Sequence, residues 1–445
     1  MPPIHIPSDP FTQRLQHIRQ QIADGQLREA AAALGEAQKQ APTDARIALL
    51  GMRLASQAGN LAGAIQAARR ALQLAPDWPV AQVELGLLLA HQGPRDEAMD
   101  LARRALALEP KDAEVRFGAA RIAAGAGHID QAFEWARQGV QDHPEHLELR
   151  LFLGRALVTR RDYAEALPHF EFVRQRQPLN VDALLGLMSC ERIIGTPERF
   201  QAQADAVLAL RPGDASARFW HDIAHGRIPA TQPAALIAGA YDAYAPYYDM
   251  HLVRALKYRV PERIAELLKR AYPDLRFNLL DLGCGTGLVG AYLGRIQGHM
   301  IGVDLSQRMI DEAARHQLYS RFHRVNLLDA LADTPADHYE VITCAGALTD
   351  AGDAAPVIAN ALRILKPDGH FLFSCERAGE DEADLVLRPE SMRYAHKPSA
   401  IRRLCEAAGF TDIVIEDLPT LYLENDQPVP GFLVHARKPA APHPA

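Results

Sequence analysis

Along the first half of the chain, apolar, small and polar positions return in register every 34 residues, as Pro42, Pro76, Pro110, Pro144, Pro178 and Pro212 mark out. Gly25, Gly59, Gly93, Gly127 and Gly195 hold one phase, with Arg161 the exception, and Ala30, Ala64, Ala98, Ala132 and Ala166 hold another. Each period predicts two antiparallel helices whose apolar faces cannot be buried alone, so stacked neighbours supply the core and the array grows as a solenoid. Alanine permits close approach where helix pairs cross. Glycine accepts a left-handed turn between helices, and proline ends the second helix because it cannot continue the hydrogen-bond ladder. The units 79–112 and 147–180 match best, with Gly86 and Gly154 also in place, whereas 11–44 and 181–214 are degenerate, as capping units often are.

The rhythm changes after Pro212. A helical stretch, Ala215–His225, with Phe219 and Trp220, is expected to cap the solenoid, so that the helical domain covers 11–225. Two prolines break the periodicity over 226–234, which reads as a linker. From 235 to 438 short apolar runs alternate with amphipathic segments. The runs predict strands at Phe277–Leu282, His299–Asp304, Arg321–Asn326, Tyr339–Ala345, Gly369–Cys375, Thr411–Glu416 and Gly431–Arg437; helices are predicted at Val289–Ile296, Met309–His316, Pro356–Leu365 and Ser399–Ala408. That order predicts an α/β doubly wound domain with seven strands and helices on both faces. The tail 439–445 is rich in proline and alanine and is expected to be disordered. By its period the first half resembles the tetratricopeptide repeat, in six copies over about 11–214.

A chain of 445 residues that is 48% hydrophobic and 23% charged can build more than one core. The formal net charge of -7 argues against a duplex nucleic-acid binder, which needs a basic excess for phosphate contacts. The five cysteines are widely spaced, so neither a zinc ribbon nor a disulfide framework is readable, and a reducing cytoplasm is the expected setting. No stretch has the length of a membrane-spanning helix and the first residues lack the pattern of a secretory signal, so no membrane partner is expected.

The chemistry concentrates at Leu279-Leu-Asp-Leu-Gly-Cys-Gly-Thr-Gly287, a buried strand running into a glycine turn and then a helix. Without side chains at Gly283, Gly285 and Gly287, a ligand can approach the backbone closely. Asp304 closes the second strand, where a carboxylate can accept hydrogen bonds from both hydroxyls of a ribose. Gly285-Thr-Gly-Leu-Val-Gly290 also satisfies the dinucleotide pattern G-x-G-x-x-G, so a nicotinamide cofactor has to be weighed. Three features favour S-adenosylmethionine: Asp281 leads the glycines, Leu365-Lys-Pro-Asp-Gly-His-Phe-Leu-Phe373 precedes the fifth strand, and two strands follow the last helix.

Together these features resemble the class I S-adenosylmethionine-dependent methyltransferases, a Rossmann-like fold whose mixed seven-stranded sheet has its final strand inserted antiparallel. The resemblance covers about 235–438 and lies near the group of ubiquinone-pathway and biotin-pathway enzymes. More narrowly it is similar to a bacterial subgroup with tetratricopeptide repeats upstream, marked by Tyr241-Asp-Ala-Tyr-Ala-Pro-Tyr-Tyr-Asp249, His251-Leu, Tyr258-Arg and Arg393-Tyr-Ala-His396. By that similarity Asp281, Gly283, Cys284, Gly285, Thr286 and Gly287 hold the methionine moiety and Asp304 the ribose. Leu305 and Met309 pack on the adenine, and Asn326 and Leu327 contact its edge. Asn326 stands where an aspartate is frequent, and still offers an amide oxygen to the adenine amino group. After the fourth strand, where relatives often carry an acid, this chain has Gly346; a substrate contact has then moved to Thr349, Asp350 or Asp353, or been lost.

Methyl transfer from a sulfonium needs alignment and exclusion of water more than an elaborate catalytic set. Tyr241, Tyr244, Tyr247 and Tyr248 either form a lid whose faces favour the sulfonium or pack a helix onto the sheet. If the acceptor must lose a proton, His396 is the expected general base, with Tyr258 and Tyr394 orienting substrate. The motifs of nucleobase methylation are absent, and no side-chain cluster has metal-ligand spacing, so no metal is expected. Arg53, Arg121 and Arg155 share one phase of the repeats, either as a stripe for an anionic peptide or carrier protein or as a solvated or internally paired face. The expected acceptor is a small molecule, a peptide or a carrier-bound group, with the repeats recruiting it, recruiting a partner, or pairing two copies. The alternative is an interaction scaffold whose second domain has lost turnover.

Overall fold

A computed structural model describes residues 9–245, 248–249, 256–389, 391–424 and 426–441. Two compact units divide at Leu210/Arg211. The first holds, among the described residues, twelve helices in six pairs: α1 (Pro10–Ala23), α2 (Leu27–Gln40), α3 (Ala45–Gln57), α4 (Leu61–Leu74), α5 (Pro79–Gln92), α6 (Arg95–Leu108), α7 (Ala113–Gly125), α8 (Ile129–Asp142), α9 (Leu147–Thr159), α10 (Tyr163–Arg176), α11 (Val181–Ile194) and α12 (Pro197–Leu210). Short polar side chains start several of them: the carboxylate or amide oxygens of Asp44, Asn60, Asp112 and Asn180 accept from first-turn N–H groups.

The alanine phase is buried throughout, from Ala30 to Ala166. Glycine serves the same packing in α9 and α11, where a Cβ on Gly154 or Gly186 would stand 2.8 or 2.3 Å from the Phe170 ring. The inter-helix glycines do not all behave alike. Gly25, Gly59 and Gly127 adopt positive φ, and Arg161, the exception in sequence, takes the same turn with φ 65°. Gly93 instead has φ -138° and is extended, because Pro94 follows it and disfavours helical backbone at the residue before.

The second unit begins with α13 (Ala215–Ala224) and α14 (Ala234–Tyr244). The division by contacts groups α13, expected as a cap on the repeats, with the second unit. Residues 226–234 are no free linker: Gln232 N donates to Asp350 O at 3.0 Å, Asp353 N to Ala230 O at 2.7 Å, and Tyr394 Oη to Pro229 O at 2.8 Å. The strap lies bound along the domain it precedes.

After α15 (Val260–Ala271) the chain alternates: β1 (Leu279–Leu282), α16 (Leu288–Leu293), β2 (Met300–Asp304), α17 (Gln307–Ala314), β3 (Arg321–Arg324), α18 (Leu327–Asp333), β4 (Tyr339–Cys344), α19 (Ala355–Ile364) and β5 (Leu365–Arg377). Then follow β6 (Leu385–Leu387), β7 (Tyr394–His396), α20 (Pro398–Ala408), β8 (Thr411–Glu424) and β9 (Gln427–Arg437). Among the described residues the sheet has nine strands rather than the expected seven. Strands β3, β2, β1, β4 and β5 run parallel in that order, and β9 pairs antiparallel with both β5 and β8. The two extra strands are the three-residue hairpin β6–β7, which joins β5 at Glu376 and Arg377, beyond the end of β4.

One core, with Phe371, Phe373, Ile342, Ile358 and Val434, lies under α19 and α20; another, with Ile264, Leu268, Leu279 and Leu433, lies under α15 on the opposite face. The alternating elements thus close into a doubly wound, three-layer domain. All five cysteines are free and buried. No described helix is long and apolar enough to cross a membrane. Of the tail, residues 439–441 carry no regular structure and 442–445 lie outside the described residues.

Candidate active site

Strand β1 pairs with β2 on one side and β4 on the other, so connections leave in opposite directions from this point and open a crevice at the carboxyl ends of the strands. The loop that follows β1 turns on Gly283, Gly285 and Gly287, with φ +64°, +53° and +82°. A side chain at Gly283 would bring its Cβ to 2.5 Å from Ala347 Cβ, whereas one at Gly285 would meet, among the described residues, nothing nearer than Tyr248 Cε1 at 3.9 Å. Gly285 thus borders open space, a hollow that a Cβ would fill.

Asp304, at the end of β2, ties that corner down. Its Oδ2 accepts from Gly285 N and its Oδ1 from Ser306 N, both at 2.8 Å. Burial raises its carboxyl above the usual range, and these backbone donors oppose the shift. Asp281 is more enclosed: its Oδ2 accepts from Tyr319 Oη at 2.6 Å and its Oδ1 from Thr343 Oγ1 at 2.8 Å. Burial pushes it up to about 6.

The crevice encloses about 1020 Å³ of empty space, its mouth included, and is lined by Gly283, Gly285, Asp304, Leu305, Asn326 and Leu327 at one end. The other end is formed by Tyr258, Thr349, Asp350, Arg393, Leu421 and Tyr422, with Thr231, Ile237, Tyr241 and Tyr248 also on the wall.

Most of the expected nucleoside contacts are therefore brought together: Tyr241, Tyr248, Gly283, Gly285, Asp304, Leu305, Asn326 and Leu327 all face the cavity. Asp281, Cys284, Thr286, Gly287 and Met309 lie off that lining. Thr286 Oγ1 donates to Asp249, and Asp281 accepts from Tyr319 and Thr343 on its two oxygens, so these side chains are held by partners around the loop. Asn326 Oδ1 accepts from Leu328 N at 2.8 Å as the N-cap of α18, so the oxygen expected at an adenine edge already has a partner. Of the tyrosine cluster, Tyr241 and Tyr248 pack edge to face at 6.1 Å; Tyr247 lies outside the described residues, as do His251 and Leu252 of the marker motif.

Two of the three expected acceptor-side residues are corrected. His396 is 3% exposed, lies off the cavity lining, and its Nε2 donates to Gly352 O at 2.6 Å. Burial lowers its pKa, which keeps it neutral and structural. Tyr394 is fully buried, donates to Pro229 O and also lies off the lining. The segment that reads as a loop is a strand inside the sheet, and that strand hides both rings. Tyr258 does face the cavity, with its Oη 3.4 Å from Ser374 Oγ. Burial raises its hydroxyl far above the usual range, so it stays protonated.

Beyond β4, Gly346 leaves room for Tyr258: a Cβ there would stand 3.1 Å from Tyr258 Oη. Thr349 and Asp350 line the cavity, whereas Asp353 Oδ1 accepts from Ala355 N at 3.0 Å at the start of α19. Asp350 is a node for the strap and α14, since Gln232 Nε2 donates to its Oδ1 at 3.2 Å and Tyr241 Oη to its Oδ2 at 2.8 Å. Residues the sequence does not single out complete the site, Tyr422, Leu421 and Thr231 on the wall and Tyr319 beneath the glycine corner, joined by Arg393, which the sequence offers only as a marker residue without a role. Only the Arg393-Tyr-Ala-His396 marker points toward this end, and it singles out the wrong members.

In the helical unit, the arginine phase is largely spent internally. Arg53 pairs with Glu84 at 2.7 Å, Arg155 with Asp182 at 3.5 Å, and Arg121 lies over the Phe117 ring at 5.5 Å.

The residues present fit S-adenosylmethionine: a hollow that only glycine leaves open, a carboxylate at the end of the neighbouring strand, apolar sides from Leu305 and Leu327, and two aromatic rings on the wall. A protein-family profile described as a methyltransferase domain matches residues 253–415, and one described as a tetratricopeptide repeat matches 79–122. The ubiquinone biosynthesis O-methyltransferase of Methylococcus capsulatus is 33% identical over 187 residues, which span 36% of this chain and 77% of that protein. The enzyme of the same name from Hahella chejuensis is 28% identical over 223 residues, spanning 45% of this chain and 89% of that one. Among solved structures, the 1,6-didemethyltoxoflavin-N1-methyltransferase of Burkholderia thailandensis aligns with 48% of this chain and 92% of its own, at 20% identity and a TM-score of 0.36.

Proposed function

Because the chain belongs to the family of S-adenosylmethionine-dependent methyltransferases and carries tetratricopeptide repeats besides, we propose that it transfers a methyl group to an acceptor seated beyond β4, in the same cavity that takes the cofactor. The observation that carries this reading is the glycine corner tied to Asp304 at the β1/β4 switch point, opening on one continuous cavity. When bound, the cofactor supplies a methyl group already activated on a sulfonium, for in-line displacement. The chain's own residues then bind, align and exclude water.

Asp304 accepts from the ribose hydroxyls while Leu305 and Leu327 cover the adenine. Tyr241 and Tyr248 present ring faces to positive charge near Gly285. Tyr258, held protonated by burial, donates to the acceptor and cannot take its proton. The described lining holds no histidine, and of its carboxylates Asp350 stands at the acceptor end, where burial raises its pKa and suits it to receive a proton. The repeats recruit a peptide, a carrier-bound acceptor or a protein partner, or pair two copies.

Calorimetric titration of the full chain with S-adenosylhomocysteine tests the reading. The wild type binds, Asp304→Asn binds at least tenfold more weakly, and absence of binding by the wild type would sink the assignment.

A further inference from the structure

We propose that the acceptor end of the cavity is a subsite for a carboxylate-bearing acceptor with an apolar or aromatic body, in which the Arg393 guanidinium grips the carboxylate. The inference rests on reading the cavity as a methyl-transfer site.

Arg393 is the cationic residue among the described residues that line the cavity. It is placed by a closed turn, in which Arg388 N donates to Arg393 O and Met392 N to Arg388 O, each at 2.8 Å, and Gln232 Nε2 fastens the turn through Met392 O at 2.6 Å. The guanidinium lies 4.8 Å over the Tyr422 ring. The one carboxylate within ion-pair reach among the described residues, Glu376, stands 3.9 Å away, beyond hydrogen-bond distance, and itself accepts from Tyr422 Oη. Asp350, the other acid at this end, has each oxygen engaged, one by Gln232 and one by Tyr241.

An arginine so arranged is oriented by its neighbours without having its fork of donors filled by a carboxylate. A planar guanidinium matches a carboxylate in a two-bond geometry. One guanidinium matches a single negative charge and, with Glu376 and Asp350 close by, leaves a phosphate dianion undercompensated. On the same cavity wall, Ile237, Leu256, Tyr258, Leu421 and Tyr422 offer apolar and aromatic surface for the rest of the acceptor.

The position also separates this grip from the cofactor's. The nucleoside end is built by the ends of β1, β2 and β3. Arg393 comes from the β6–β7 hairpin, carried on the extension of β5 past the end of β4.

The test titrates the full chain, saturated with S-adenosylhomocysteine, with benzoate, benzamide and phenyl phosphate, followed by ligand-observed NMR. Benzoate is expected to bind at least tenfold more tightly than benzamide or phenyl phosphate. Arg393→Gln is expected to abolish that preference while S-adenosylhomocysteine affinity stays within twofold, and Arg393→Lys to keep part of it. Thermal unfolding checks both variants, and Arg393→Lys, which keeps the charge but loses the fork, carries the comparison if Arg393→Gln does not fold. Equal binding of benzoate and benzamide by the wild type overturns the inference, as does a preference for phenyl phosphate. So does a tenfold loss of S-adenosylhomocysteine affinity in Arg393→Gln with 5′-methylthioadenosine affinity unchanged, because Arg393 then holds the cofactor's own carboxylate. A wild type that binds no S-adenosylhomocysteine brings down the methyl-transfer reading itself.

Discussion

Replacing Gly285 by alanine separates the loop's conformation from its ligand role. Gly285 has φ +53°, and among the described residues its new Cβ would find only Tyr248 Cε1, at 3.9 Å. The protein itself therefore feels a backbone penalty of about 1–2 kcal/mol for an alanine in left-handed backbone, and no steric clash. Gly226, with φ +70° and nothing within 4 Å of a Cβ, provides a control of the same kind in the same unit, off the cavity lining. For a unit of this size each kcal/mol lowers the melting temperature by about 2–4 °C, so both variants should melt roughly 2–8 °C lower. Their ligand affinities should diverge. The Gly285 methyl occupies the hollow where a ligand meets the backbone, and a retreat that loses about 1.4–2.8 kcal/mol of contact weakens binding roughly ten- to a hundredfold. Calorimetry with S-adenosylhomocysteine reads this directly, with Gly226→Ala expected to match the wild type. If Gly285→Ala binds within twofold of the wild type while showing the same melting loss as Gly226→Ala, the cofactor does not lie against this corner.

Arg161→Gly should raise stability by about 1 kcal/mol, seen as a higher midpoint in urea unfolding of the helical unit, because Arg161 holds φ 65° where its repeat partners have glycine. His396→Gln should lower the melting temperature, through a buried donor to Gly352 O that glutamine replaces poorly, yet leave turnover per folded molecule within about threefold, the margin of an indirect effect. A hundredfold loss with an altered pH profile would restore His396 as a base. His370 bonds His435 through Nδ1···Nε2 at 2.7 Å, and burial first, then His435, lowers its pKa to about 4. The unfolded chain, with histidine near 6.5, then binds more protons between those values, so stability should fall as pH drops from 6.5 toward 4. Because the pair is partly exposed, about 1–2 kcal/mol is expected from urea titrations, and His370→Gln should flatten that slope.

The helical unit is legible because stacking repeats the same demand at a fixed interval: Ala30 to Ala166 are buried where the period puts small residues. The glycine corner is legible because strand, turn and carboxylate are local in sequence. What stays hidden depends on distant partners. Three-residue strands such as β6 and β7 carry no periodicity, so His396 and Tyr394 read as loop residues although the sheet buries them. The strands expected at Thr411–Glu416 and Gly431–Arg437 extend through Pro419, Pro428 and Pro430 as the long pair β8 and β9, which brings Leu421 and Tyr422 to the cavity. The strap reads from its prolines as free chain, since nothing local announces that Gln232 will find Asp350 and Met392. Arg393 likewise gains its meaning from Tyr422 and Glu376, far away along the chain.

Placing β9 between β5 and β8 has a consequence for how the molecule is made. A ribosome delivers the chain in order, so the repeats can stack while the α/β unit is still emerging, and β5 must wait with one edge bare until β9, which ends at Arg437, has been translated. A bare edge invites pairing with the wrong strand. During that interval the cavity lacks the wall that carries Leu421 and Tyr422, and the nascent protein gains a finished acceptor end only when its closing hairpin slots home.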